Sequence, residues 1–304
     1  MCRRPVRALA SPAAAVAAAL ALSGAPAAAA PAADEGARAR AVGAARVAAP
    51  LPAPGAPLPR DPARLARRLA ATTRALDAAV DRWRRHGRPA VGRPPRDVEL
   101  LALHHQRIYR LLRADDRLAG ATVARLPSGL AREARAIVRA GRGLRRITPA
   151  VAARRVRTRR PRPVGVLLRY YREAERRFGV PWQVLAAVNF VESAFGKIRS
   201  DSAAGARGPM QFLPRTWAAY GLGGNVHDDR DAILGAANYL RAAGAPRHLR
   251  RALWRYNPSA RYVDAVLVYA GRMRADPREL YVFYSWQLFV RTERGDLRLT
   301  GPGR

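Results

Sequence analysis

The chain has 304 residues, of which 56 are Lys or Arg and 22 are Asp or Glu, for a formal net charge of +34 at neutral pH. Every basic residue except Lys197 is arginine and alanine is abundant, a bias that reflects a GC-rich coding background as much as a function. A surface this basic is drawn to polyanions such as acidic wall polymers. With no zinc-finger spacing, sheet-borne aromatic motif or basic recognition helix, specific nucleic-acid recognition is set aside.

Residues 1–30 read as an export signal. Arg3, Arg4 and Arg7 form a positive front, an Ala/Leu/Val-rich run extends through Leu22, and Ala28 to Ala30 offer a cleavage site. The run is too short and alanine-rich to favour a permanent transmembrane helix. The alternative is an uncleaved anchor. Export places the chain outside the cytoplasm, in the cell wall or periplasm. Cys2, the single cysteine, precedes the apolar run, so a mature chain cut near Ala30 has no disulfide and no thiolate metal site.

Residues 31–60 are rich in Ala, Pro and Gly without helical period and read as a flexible linker. Residues 61–146 form a helical accessory region. Leu65, Leu69, Thr72, Leu76, Val80 and Trp83 recur at helical spacing up to His86-Gly87. Val98, Leu101, His105, Ile108 and Leu112 share a second stripe, and a third helix lies around Leu126 to Val138. His104 and His105 point about 100° apart on a helix and cannot easily share one ion, so they read as partly buried or solvated. Residues 147–163 are an Arg/Pro-rich connector in which Pro161 and Pro163 argue against helix.

The informative region is 164–304. Val166 to Phe178 reads as a helix ending at Gly179, and Pro181 opens the next, which runs to Phe195 and stops at Gly196. That helix is apolar nearly all round, as a buried central helix is. Further helices are expected near Arg215 to Tyr220, from Asp228 or Asp229 to Ala243, from Arg247 to Tyr256, and from Ala260 to Arg274 behind Ser259. From Tyr281 to Val290 the period changes to two. With a turn at Arg294-Gly295 and Leu297 to Leu299 returning, a small β-hairpin is expected there.

From Phe178 to Gly196, nineteen residues carry one charged side chain, Glu192. A carboxylate in apolar surroundings loses hydration in its charged form, so its pKa rises toward a general acid's working range. The bland alternative is that Glu192, near the helix end, turns to solvent.

Downstream of Glu192-Ser193 come Gly208-Pro209-Met210-Gln211-Phe212-Leu213-Pro214, Thr216-Trp217, Ala236-Ala237-Asn238-Tyr239-Leu240 and Tyr256-Asn257. This ordered set resembles the lysozyme-like lytic transglycosylases of the SLT domain family. The Gly-Pro-Met-Gln-Phe form and Tyr262-Val263 make it most similar to the membrane-bound lytic transglycosylase B type. The likeness spans about Phe178 to Ala270. It implies a mainly α, lysozyme-like catalytic domain, here with a small C-terminal β-hairpin and a helical arm in front. It also implies Glu192 as the catalytic acid/base on peptidoglycan glycan strands, with no cofactor, in a monomer. Ser193, Met210, Gln211, Phe212, Tyr239, Tyr256 and Asn257 are the implied substrate contacts. Met210 and Phe212 serve equally well as plain core, Asn257 as a cap.

No second acid lies within the motif segments, whereas ordinary glycosidases need two carboxylates. One suffices if the substrate supplies its own nucleophile, as in transglycosylation to a 1,6-anhydro product. The alternatives are a hydrolytic muramidase like goose-type lysozymes, using an acid such as Asp201, and a non-catalytic wall-binding protein. Asp228, Asp229 and Asp231 look like helix-capping charge. Residues 221–228 lack the alternating ligands of an EF-hand-like Ca²⁺ loop, so no metal is expected, with His227, Asp228 and Asp231 as the alternative site.

Overall fold

In the computed structural model, which describes residues 50–303, eleven α-helices precede a two-stranded antiparallel hairpin. The export signal and most of the expected linker lie outside the described residues. Residues 50–60 run without helix, yet Arg107 donates to the Ala56 carbonyl at 2.6 Å and Leu58 packs on the core.

Helix α1 (Pro62–His86) starts behind Asp61, whose carboxylate accepts from the Arg64 amide, and buries the stripe from Leu65 to Trp83. Helix α2 (Arg96–Ala114) pairs with it. A short helix, α3 (Asp116–Val123), follows under an Asp115 cap. No helix is expected there from the sequence, since α3 follows α2 with only Asp115 between them. Helix α4 (Ser128–Ile147) then packs on α2 and, most extensively, on α10 (Ala260–Ala275). The accessory helices and the region after Val164 therefore share one continuous hydrophobic core.

Helix α5 (Val164–Phe178) closes on Gly179 in the left-handed conformation at φ 69°. Helix α6 (Trp182–Ser193) crosses the centre of that core, and its first turn is capped from outside when the Trp182 amide donates to Glu175 of α5 at 3.1 Å. Helices α7 (Pro214–Tyr220), α8 (Asp229–Ala242) and α9 (Leu249–Tyr256) surround it, with Asp228 capping α8 and Ser259 capping α10.

The C-terminal segment departs from expectation in one place. Residues Tyr281 to Ser285, which the alternation reads as the first half of a strand, belong instead to helix α11 (Arg278–Ser285). The period-two pattern arises because this helix is enclosed on every side: all six residues Leu280 to Ser285 are buried. Period loses its meaning for an element with no solvent face. The hairpin proper pairs β1 (Phe289–Thr292) with β2 (Gly295–Arg298), Val290 opposite Leu297. It docks on α2 through the buried Arg110–Asp296 ion pair and a reciprocal bond between Gln106 and the Gln287 backbone, at 2.9 and 2.8 Å.

Among the described residues no helix is long and apolar enough to cross a membrane. His104 and His105 are more enclosed than expected, at 2 % and 4 % exposure, and burial lowers them to about 4 and about 3. Both are neutral core residues at physiological pH.

Candidate active site

Glu192 sits on the last turn of α6, which ends at Ser193, two residues earlier than the sequence suggests. Three consecutive residues, Ala194, Phe195 and Gly196, then take left-handed backbone at φ 52°, 63° and 78°. For two L side chains this is strained, at about 1–3 kcal/mol each. It persists because the turn is bonded at every step. Phe195 donates to the Asn189 carbonyl at 3.2 Å and Gly196 to Ser193 Oγ at 2.8 Å.

The same turn of helix fixes the Gly208–Phe212 loop. Ser193 Oγ and Asn189 Nδ2, one helical turn apart, both donate to the Pro209 carbonyl, at 2.6 and 2.8 Å. Tyr171 holds Asn189 from behind at 2.6 Å. Gln211 is thereby set in left-handed backbone at φ 50°, its side-chain amide bonded to the Gly208 carbonyl at 2.9 Å. Gly208 is obligatory here: at φ 72°, a Cβ would lie 1.8 Å from the Val226 carbonyl oxygen.

The Glu192 carboxyl is 1 % exposed, so the reading that turns it to solvent does not hold. Tyr262 Oη donates to its Oε1 at 2.7 Å, while Oε2 is buried without a partner. Loss of hydration pushes its pKa up to about 8, and the Tyr262 hydrogen bond pulls the other way. Tyr262 ends an aromatic row. It lies parallel to Tyr256 at 6.5 Å, Tyr256 meets Tyr239 edge-on at 5.6 Å, and Tyr239 meets Tyr220 at 4.9 Å. Tyr256 Oη donates to the Met210 carbonyl at 2.6 Å and Tyr239 Oη to that of Arg255 at 2.7 Å.

A cavity of about 620 Å³ opens beside Glu192. Of the expected site residues, Glu192 and Gln211 line it, together with Asp201. Met210 and Phe212 are buried in the core, at 0 % and 3 % exposure. Ser193 is fully enclosed and spends its hydroxyl on the Pro209 and Gly196 backbone. Tyr239 and Tyr256 form the aromatic row, and Asn257 caps α9 with its side-chain nitrogen unpartnered.

Two contributors escaped the sequence reading. Tyr262 was visible only as part of a motif, because its partner lies 70 residues away. Asp229 reads as capping charge, but Asp228 is the cap; Asp229 is buried, and Arg159 of the connector donates to it at 2.6 Å. Arg159 also donates to the Gly196 carbonyl at 2.9 Å, tying connector, α8 and the turn after Glu192 together. Lys197 points away, its ammonium bonded to the Tyr284 and Trp286 carbonyls and lowered by burial to about 7. Among the described residues no three His, Cys, Asp or Glu side chains gather as a metal site. In the 221–228 loop, Asp231 accepts from the Asn225 amide at 2.9 Å and Asp228 caps α8.

Comparison with known proteins gives a match to part of this chain. Residues 169–268 match the Transglycosylase SLT domain. The matched span runs from α5 into α10 and holds Glu192, the Gly208–Phe212 loop and the whole tyrosine row. A relative, membrane-bound lytic murein transglycosylase F of Thiobacillus denitrificans (strain ATCC 25259 / T1), is 33% identical over 82 residues. That alignment covers 27% of this chain and 17% of the relative. The relative is of the F type, so it leaves the B-type likeness without support. No solved structure matches the chain.

Proposed function

We propose that this protein is a peptidoglycan lytic transglycosylase that works with one carboxyl, Glu192. The observation that carries the reading is a buried acid with a pKa near 8, beside a cavity and inside the span that matches the SLT domain. At neutral pH such a group holds its proton, as a general acid must. It gives that proton to the glycosidic oxygen between N-acetylmuramic acid and N-acetylglucosamine as the bond to the anomeric carbon breaks. The carboxylate left behind is stabilised by the Tyr262 hydroxyl. It then takes the proton from the muramic acid C6 hydroxyl, whose oxygen bonds to the anomeric carbon and closes the 1,6-anhydro ring. Glu192 ends protonated, ready for the next turnover, and no water is consumed.

The partly exposed Tyr220 and Tyr239 supply aromatic faces for sugar rings, the buried Tyr256 and Tyr262 back them from the core, and Gln211 is a hydrogen-bonding group at the cavity. We keep Met210, Phe212 and Ser193 as residues that shape the site from beneath, and Asn257 as a side chain at its far end. We place the protein outside the cytoplasm as a monomer, on peptidoglycan strands and acidic wall polymers. The Gly208–Phe212 sequence and Tyr262-Val263 are what favour the B type.

One observation favours a second reading. Asp201 lines the same cavity as Glu192, so a hydrolytic muramidase has its second carboxylate within the site. Asp201→Asn separates the two. Transglycosylation predicts anhydro-muramic products at near-normal yield from this variant. Loss of all cleavage, with reducing ends as the wild-type product, supports hydrolysis instead.

A further inference from the structure

The cavity beside Glu192 is only partly built by the span that matches the SLT domain. Its other side comes from the connector, through Ala150, Val151, Ala152, Arg155 and Val156, and from Glu293 at the hairpin tip. These pieces are fastened in place. Arg199 donates to the Arg157 carbonyl and Arg159 to that of Lys197, each at 2.9 Å, so the connector runs as an added edge beside the chain after Glu192. Ser200 Oγ bridges further along, accepting from the Arg157 amide at 2.6 Å and donating to the Arg155 carbonyl at 2.9 Å. At the other end Val151 donates to the Arg291 carbonyl of β1 at 2.8 Å, and Arg291 returns a bond to Thr148 at 3.0 Å. Beneath the wall a small separate core of Ile198, Leu288 and Val290 receives Val151 and Val156. The wall is thus assembled before any ligand arrives, which lowers the ordering cost of binding.

Its chemistry differs from that of the tyrosine row. Sugars present hydroxyl and acetamido groups that ask for aromatic faces and hydrogen-bonding side chains. The wall offers short aliphatic side chains with one guanidinium, Arg155, and one carboxylate, Glu293, and neither is engaged in a salt bridge among the described residues. Small apolar surface flanked by both signs of charge complements a short peptide carrying small side chains and both charges. On a peptidoglycan strand, such a peptide hangs from the lactyl group of muramic acid. We infer that the connector and hairpin tip bind the peptide substituent of the muramic acid unit being cleaved, and so select peptide-bearing strands. The inference rests on the transglycosylase reading of Glu192.

The test compares peptidoglycan with its peptides intact against strands stripped of peptide by an amidase, using the full chain. The expected wild-type kcat/KM is at least 10-fold higher on intact strands, and in R155A/E293A that ratio falls toward one. Both positions are exposed, so the fold is retained. A wild-type ratio near one, or a variant ratio equal to the wild-type one, overturns the inference. Calorimetric titration with the free stem tetrapeptide needs no catalysis. Binding that weakens 10-fold or more in R155A/E293A supports the wall, and absence of binding to the wild type overturns it. A protein that binds the peptide yet cleaves neither substrate would refute the transglycosylase reading while leaving the wall in place.

Discussion

At the scale of single residues, the protonation of Glu192 governs both catalysis and stability. Its carboxyl ordinarily titrates near 4.5 and here near 8. The acid form is therefore present through neutrality, and kcat/KM should fall as pH rises through about 8. Tyr262→Phe removes the one contact that favours the charged form, so this alkaline limb should move to higher pH; an unmoved limb would show that the hydroxyl does not touch the ionising group. For stability, the folded value is the higher one. Between 4.5 and 8 the folded state keeps a proton that the unfolded chain has lost, so stability falls as pH rises across that window. Glu192→Gln should cost about 10²–10⁴-fold in activity. It should also melt progressively higher than the wild type as pH is raised across the same window, and a pH-independent difference in Tm would contradict the burial of a titrating acid. Glu192 was legible in the sequence because an Arg-rich chain leaves it alone in an apolar helix. Tyr262 and Arg159 were not, since each acts on a residue dozens of positions away and neither stands out in its own segment.

At the scale of elements, the site depends on how α6 stops. The left-handed run after Ser193 sends the chain back beneath Pro209, and Asn189 and Ser193 hold that carbonyl from one face of the helix. Gly208→Ala should be severe. Left-handed backbone alone costs a side chain about 1–3 kcal/mol, and the added methyl would collide with the Val226 carbonyl. Loss of activity with a lower Tm is expected; a fully active, equally stable variant would show that the loop sits elsewhere. Helices with a solvent face, such as α1 and α10, were readable from their stripes and caps. Helix α11 was not, because burial all round erases the period that distinguishes helix from strand. The missed α3 is one of the shortest helices and shares its Asp115 boundary with α2.

At the scale of the whole molecule, the accessory helices and the matched span share one core through α4 and α10, and the connector and hairpin tip complete the cavity beside Glu192. Nothing in the sequence announced that closure, because it is made by backbone bonds and by the Ser200 hydroxyl between segments some 40 residues apart. A groove between α3, α4 and α10 carries Arg135, Arg139, Arg146 and Arg261, while its acids Asp116 and Asp264 are already paired with Arg142 and Arg250. With a net charge of +34, wall binding should weaken as salt is raised. R135E/R139E/R146E/R261E should lose more of it than four reversals on α1 at Arg64, Arg67, Arg74 and Arg85; equal losses would mean that net charge alone matters. The central claim is tested most directly by mass spectrometry of the glycan fragments released from peptidoglycan. Muramic acid ends lighter by one water, absent when Glu192→Gln replaces the wild type, are the predicted result. Reducing ends alone, or undiminished cleavage by Glu192→Gln, would contradict it.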